Sequence, residues 1–381
     1  MKKTITITTI ILLTMTGYIE GGKPSDDFFT VNVTKSYPKK NLILQDFMDV
    51  EYIPLETNDG FLCQGIVLAI GKELIYVRNE INDGDIFIFD RTGKALRKIN
   101  RRGQGNDEYV RIYEIIPDED KNEMYINEPR KILVYDLFGK YLRSFRKSEG
   151  ADYMFLQYFD RENLIGREMT FQAGNISSES QPFAVISKKD GSLMKDIRIR
   201  FKKEKNAMIS VGNNSGMAAN VAPRVNSIIS FNNSLILTEI SSDTIFRLLP
   251  DFRMIPFIIR TPSIQSMSPE IFLFPGVFTD RYFFMEALKK VEGFPKKQLM
   301  YDKQAKAVFE FTVHNNDYSN GTTVNMSKAS YNNEIAFWQK LEAYELVEAY
   351  KKGELKGRLK EIAAGLDVED NPVIMLVKHK K

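Results

Sequence analysis

The chain has 381 residues, with 53 Lys and Arg against 50 Asp and Glu, a net charge of +3, and 43% apolar residues. That composition can bury a large core, which excludes disorder and collagen-like repeats, and its near-neutral balance gives no electrostatic footprint for binding nucleic acid. One cysteine excludes an internal disulfide, and two histidines are too few for a three-histidine zinc site.

Lys2 and Lys3 precede an apolar run from Ile5 to Met15. Such a run is too short to cross a bilayer, which takes roughly 20 residues, and a positive start followed by a short apolar stretch reads as an export signal over residues 1–17. A buried first strand is the alternative, because isoleucine and threonine favour strands. Leu13-Thr14-Met15-Thr16-Gly17 has the form of a bacterial lipoprotein signal, but Tyr18 stands where the lipidated cysteine belongs. A phenol cannot accept that lipid. Export to the periplasm or the outer membrane is expected and lipidation of this chain is not, so membrane contact would come only through an N-terminal anchor. Residues 18–40, rich in Gly, Pro, Ser, Asp and Lys, read as a tether.

The strongest signal beyond this point is internal repetition. Ile86-Phe87-Ile88-Phe89-Asp90-Arg91-Thr92-Gly93-Lys94 recurs 46 residues later as Ile132-Leu133-Val134-Tyr135-Asp136-Leu137-Phe138-Gly139-Lys140. Each copy predicts strand, tight turn, strand, with glycine supplying a positive φ and aspartate bonding to the local backbone. Short strands at Leu74–Val77 and Met124–Ile126 precede them. Looser hairpins follow at Phe183–Ser187 with Asp190-Gly191, at Asp243–Leu248 with Phe257–Ile259, and at Gln298–Asp302 with Ala307–Phe311. Several short strands per unit of 40 to 50 residues is the pattern of propeller blades. Tyr52–Leu55 and Pro372–Val377 can share a last blade and so close the ring. The expectation is an all-β domain over residues 41–381, a six-bladed β-propeller of four-stranded antiparallel blades; an open sandwich or a solenoid of similar hairpins is the alternative.

From Asn333 to Ala364 the apolar period changes from two to about 3.6, which predicts a helical segment before the closing strand. Phe337, Leu341, Tyr344 and Val347 fall on one face, Leu355, Leu359 and Ile362 on another, with Gly353 as a break. Packing on the propeller flank or rim is expected, with a helix that binds a partner as the alternative.

Tyr52-Ile53-Pro54-Leu55-Glu56-Thr57, the Asp-x-x-Gly-Lys hairpins, Gly103-Gln104-Gly105-Asn106-Asp107-Glu108-Tyr109, Ser242-Asp243-Thr244-Ile245-Phe246 and Asp370-Asn371-Pro372-Val373 resemble the six-bladed, NHL-like propeller lipoproteins of Bacteroidetes. The likeness runs from about Asp46 to Lys378. In that family the first loop commonly reads Gly-x-Gly-Pro-Gly-Glu-Tyr, where this chain has Asn106 and Asp107. The resemblance implies an envelope protein and supplies no shared catalytic motif to carry over.

Candidate chemistry is sparse. Gly103-Gln104-Gly105 lacks the strand-then-helix setting of a nucleotide loop and reads as a connection between blades. Its neighbours Arg101, Arg102, Glu108 and Tyr109 are the candidate ligand contacts. Asn82-Asp83-Gly84-Asp85 resembles part of a calcium loop but lacks the full ligand pattern. His314 has no nucleophile elbow beside it, and His379 sits in a basic tail. Asp243-Thr244-Ile245 reads either as the start of a strand or as an O-glycosylation site. No metal, cofactor or catalytic set is assigned. The expected function is a non-enzymatic binding or scaffolding propeller of the cell envelope, holding a small molecule, glycan, peptide or envelope protein in its central channel or rim loops. A carboxylate- or divalent-metal-dependent hydrolase or lyase on the same fold is the alternative.

Overall fold

The computed structural model describes residues 28–147, 153–168, 183–212, 218–223, 226–328 and 332–380, so residues 1–17, read above as an export signal, lie outside the described residues. Sheets succeed one another along the chain. Blade 1 holds Ile66–Ile70, Leu74–Arg78, Asp85–Asp90 and Ala95–Asn100; blade 2 holds Glu114–Asp118, Glu123–Asn127, Lys131–Asp136 and Tyr141–Arg146. Blade 3 holds Tyr153–Tyr158, Asn163–Glu168, Phe183–Ser187 and Leu193–Ile197. Blade 4 holds Ile228–Phe231, Ser234–Leu237, Thr244–Leu248 and Met254–Thr261; blade 5 holds Ile271–Phe278, Tyr282–Lys289, Lys296–Asp302 and Ala307–His314. Within each, the strands pair antiparallel in sequence order. Blade 6 joins Ile335–Leu341 to Val373–His379 and then to Met48–Pro54, so both ends of the propeller share one sheet.

Ile86, Phe87, Ile88 and Phe89 are all buried, at 2% exposure or less. A strand flanked by other blades on both faces has no solvent side, so it reads as a continuous apolar run instead of alternating. Six hydrophobic clusters fill the gaps between consecutive blades. The one that packs Ile53, Ile374 and Leu376 of blade 6 against Ile75, Val77 and Phe89 of blade 1 closes the ring. The fold is therefore a six-bladed propeller, and not a linear stack.

The repeated turns serve that packing. Asp90 Oδ1 accepts hydrogen bonds from the Thr92 and Lys94 amides, and Asp136 Oδ1 from those of Phe138 and Lys140. Gly93, Gly139 and Gly191 have φ of 90°, 85° and 74°, the region glycine enters at no steric cost. Each of these glycines lies against the outermost strand of the preceding blade: Gly139 on Ile99, Gly191 on Phe145, and Gly93 on Ile53 and Pro54. Met48–Pro54 thus plays for blade 6 the part that Ala95–Asn100 plays for blade 1.

Two expectations need correction. Part of the segment read as a tether is folded: Phe29–Asn32 adds a parallel fifth strand to blade 4 and Lys39–Ile43 one to blade 5. Phe29 and Val31 are drawn into the core between those blades, a long-range gain invisible to local composition. The helical segment also begins later than Asn333. Ile335–Leu341 is a strand, and the helices are Ala343–Lys351 and Gly357–Ala363, broken around Gly353. The spacing of Phe337 and Leu341 suits a strand as well as a helix, because four residues is two strand periods and about one helical turn. Leu346, Leu355, Leu359 and Ile362 are buried in the cluster between blades 5 and 6, so the helices pack on the propeller flank, while Tyr344 is exposed.

Candidate functional site

The first strands of blades 1, 2 and 3 lie side by side, as do those of blades 4 and 5, and Ile335–Leu341 lies beside Ile271–Phe278. They surround an axial channel made of two cavities. The first, about 560 Å³, is lined from blades 1 to 3 by Leu68, Ile116 and Tyr158 and across the axis by Ile228 and Trp338. The second, about 770 Å³, is lined by Leu288, Phe294, Lys296, Lys328 and Phe337. Gln157, Asn226 and Trp338 line both, so the two cavities meet at these side chains.

Four carboxylates face the first cavity, and internal groups engage each of them. Asp118 pairs with Lys188 at 2.9 Å, both side chains being buried. The Lys188 ammonium also lies 3.8 Å from the centre of the Tyr158 ring and donates to the Arg161 carbonyl at 3.3 Å. Burial lowers the Lys188 pKa from the ordinary lysine value, against the opposing effect of the hydrogen bond that Lys188 donates to Asp118. Asp120 pairs with Lys72 at the exposed rim. Glu119 accepts from the Glu73 amide at 2.8 Å, and its other oxygen is buried over Gly71 with no hydrogen-bond partner among the described residues. Glu114 accepts from the Asn127 amide group and from the Phe155 amide, holding Phe155 at a φ of 63°.

The neutral wall is less satisfied. The side-chain nitrogen of Gln157 is buried with no hydrogen-bond acceptor among the described residues. Leaving such a donor without an acceptor costs about 1–3 kcal/mol. Tyr158 and Phe155 are partly exposed at the same wall, and Trp338 is half-buried between the two cavities. Flat aromatic faces beside amide groups suit a ligand with both apolar and hydrogen-bonding surface.

The sequence matches the family described as DUF5128, a 6-bladed beta-propeller, over residues 22–337. The chain belongs to this family. Among solved structures it is similar to a protein of Bacteroides fragilis described as exported, at 16% identity and a TM-score of 0.64, with 93% of this chain and 99% of that chain covered. A DUF4221 family member from Bacteroides vulgatus is 9% identical with a TM-score of 0.44, covering 88% of this chain and 98% of that one. Virginiamycin B lyase from Staphylococcus aureus is 10% identical with a TM-score of 0.33, covering 70% and 94%. At these identities the likeness concerns the fold alone. No curated protein matches the sequence.

The loop chosen from the sequence lies elsewhere in this family member. It runs from the outermost strand of blade 1 to the innermost strand of blade 2, and Arg101, Arg102, Glu108 and Tyr109 line neither axial cavity. Tyr109 is buried; its hydroxyl donates to the Gly84 carbonyl at 2.6 Å and accepts from the Arg101 amide at 2.9 Å. Glu108 accepts from the Gly105 amide, and Arg101 Nε donates to the Gly139 carbonyl at 3.2 Å. Arg102 is exposed at the rim. These contacts tie the loop to blades 1 and 2.

The remaining motifs have local roles. Asp83 closes the 82–85 turn by accepting from the Asp85 amide. Asp243 accepts from the Ile264 amide at 2.6 Å and pairs with Arg260, at the start of the strand Thr244–Leu248. His314 is held by the Gly321 carbonyl, and His379 ends the closing strand. Cys63 is buried, and that burial pushes its thiol up to about 11. No group of three or more His, Cys, Asp and Glu among the described residues is placed to hold a metal ion.

Gln157, Trp338 and Lys328 were not singled out as site residues by the sequence. Trp338, the single tryptophan, is the signal available in the sequence, where the helical period predicted from Asn333 puts it on a helix face; in the structure it lies on a blade strand.

Proposed function

We propose that the chain is a binding propeller of the bacterial cell envelope that holds a small polar ligand, a sugar or short peptide, in its axial channel. The observation that carries this reading is the meeting of two cavities at Gln157, Asn226 and Trp338, which sets amide side chains beside an aromatic face. The signal-like N-terminus and the exported Bacteroides fragilis neighbour support the envelope setting. A hydrolase or lyase has less support. Of the four cavity carboxylates, Asp118 and Asp120 pair with lysines and Glu114 accepts from two donors, which leaves Glu119, with one oxygen bonded to a backbone amide and the other without a hydrogen-bond partner among the described residues, to serve proton transfer alone.

Trp338 makes the test direct, since all tryptophan emission comes from the channel wall. Titration with a panel of neutral oligosaccharides and short peptides is expected to shift that emission saturably for at least one of them. Gln157→Ala is expected to weaken the same ligand about tenfold. Emission unmoved by the whole panel, with calorimetry equally silent, would overturn the reading.

A further inference from the structure

The second cavity holds an ammonium group without an anionic partner among the described residues. Its charged lining residues are Glu286, Lys296 and Lys328. Glu286 is already engaged: it pairs with Lys296 at 3.0 Å and accepts from Gln298 Nε2 at 2.8 Å. Lys328 Nζ donates to the Trp338 carbonyl at 3.0 Å and lies 5.2 Å from the centre of the Phe337 ring. No carboxylate among the described residues lies within ion-pair distance of it.

An ammonium group has three N–H donors, and one carbonyl takes one of them. A cation taken from water calls for a counter-charge, and a single aromatic face at this distance supplies only part of it. Burial alone pushes the Lys328 pKa down to about 8, so most of the population is still charged at neutral pH. The group therefore sits in a cavity of about 770 Å³ with donors to spare and charge to balance.

We propose that Lys328 anchors a carboxylate on the channel ligand, with the remainder of that ligand reaching towards Trp338 and Gln157. This deepens the channel reading and rests on it only for the identity of the ligand; the anion site itself stands or falls separately. The carboxylate could be the C-terminus of a short peptide or the acid group of a uronic sugar, and the two arms of the experiment below separate these.

The site is tested first without any natural ligand. The full chain is labelled with lysine carrying 13C at Cε, which leaves the ammonium group unaltered, and the Lys328 resonance is assigned by its loss in Lys328→Arg. Sodium acetate is expected to raise the Lys328 pKa saturably, by about one unit, while chloride at equal ionic strength is not. An acetate titration identical to the chloride control would overturn the proposal.

The second arm follows Trp338 emission with triglycine against triglycinamide, and with glucuronate against glucose. The acid of one pair is expected to bind at least about tenfold more tightly than its partner lacking the carboxylate, and Lys328→Gln to abolish that preference. A preference surviving in Lys328→Gln would overturn the proposal. An acetate response at Lys328 with no Trp338 response to any compound would keep the anion site and remove the channel reading.

Discussion

Gly93, in the turn of blade 1, lies directly against the carbonyl oxygen of Pro54, the last residue of the N-terminal strand of blade 6. The Gly93 carbonyl in turn accepts a hydrogen bond from the Glu56 amide at 2.8 Å, and Glu56 accepts from the Ala95 amide at 2.9 Å. The seam that closes the ring is therefore built like the joints between blades 1 and 2 and between blades 2 and 3, with a turn glycine seated on the outer strand of the blade before it.

A methyl group at Gly93 would need both a positive φ and the room that the Pro54 backbone occupies. Gly93→Ala is expected to cost about 2–5 kcal/mol, since the strain and the overpacking add. Gly293→Ala is the control: its φ is 77° but its Cβ would meet nothing within 4 Å, so about 1–2 kcal/mol is expected. Urea denaturation midpoints of the two variants check the difference, and equal losses would contradict this account of the seam.

The Asp118–Lys188 pair bridges blades 2 and 3 at exposures of 6% and 2% for the two side chains. Asp118→Ala strands a buried ammonium on the Arg161 carbonyl and the Tyr158 ring, and is expected to cost about 3–5 kcal/mol. The double variant Asp118→Leu/Lys188→Met is expected to lose less than Asp118→Ala alone, because it removes the uncompensated charge as well. Denaturation curves of both variants decide the matter.

Asp302 is fully buried, and that burial would raise its pKa, but hydrogen bonds from Lys40 at 2.7 Å and Arg281 at 3.3 Å outweigh it and hold the carboxyl down at about 2. A pKa lower in the folded than in the unfolded chain stabilises the fold above the unfolded value and ceases to do so as pH falls through the folded one. Between about pH 4 and pH 2 the wild type is expected to lose about 2 kcal/mol through this group. Asp302→Asn should be less stable at pH 7 and show a shallower acid dependence across that interval, measured by thermal melts at stepped pH.

Phe29–Asn32 and Lys39–Ile43 cover the outer edges of blades 4 and 5. Removing residues 28–43 would bare the strands Met254–Thr261 and Ala307–His314 and take Lys40 away from Asp302. Exposed strand edges template further pairing, so sedimentation velocity is expected to show oligomers absent from the full chain. A monomeric truncated protein with an unchanged melting temperature would refute a role for these strands in guarding the edges.

What the sequence determined by itself was the repeating unit. Ile86–Phe89 and Ile132–Tyr135 are buried on both faces and so stay apolar at every position, and Asp90-x-x-Gly93 and Asp136-x-x-Gly139 specify their turns from neighbouring residues alone. The closing strand was legible for the same reason, since Val373–Val377 is an uninterrupted apolar run. The tertiary structure alone decided what depends on contacts far apart in the chain. Phe337 and Leu341 fit two periods until the blade selected one, and Phe29 and Val31 look like linker until blades 4 and 5 bury them. The channel wall likewise collects Gln157, Asn226, Lys328 and Trp338 from separate strands and connections. A propeller axis is lined by one strand from each blade in turn, so its chemistry is dispersed along the chain and carries no local spacing to read.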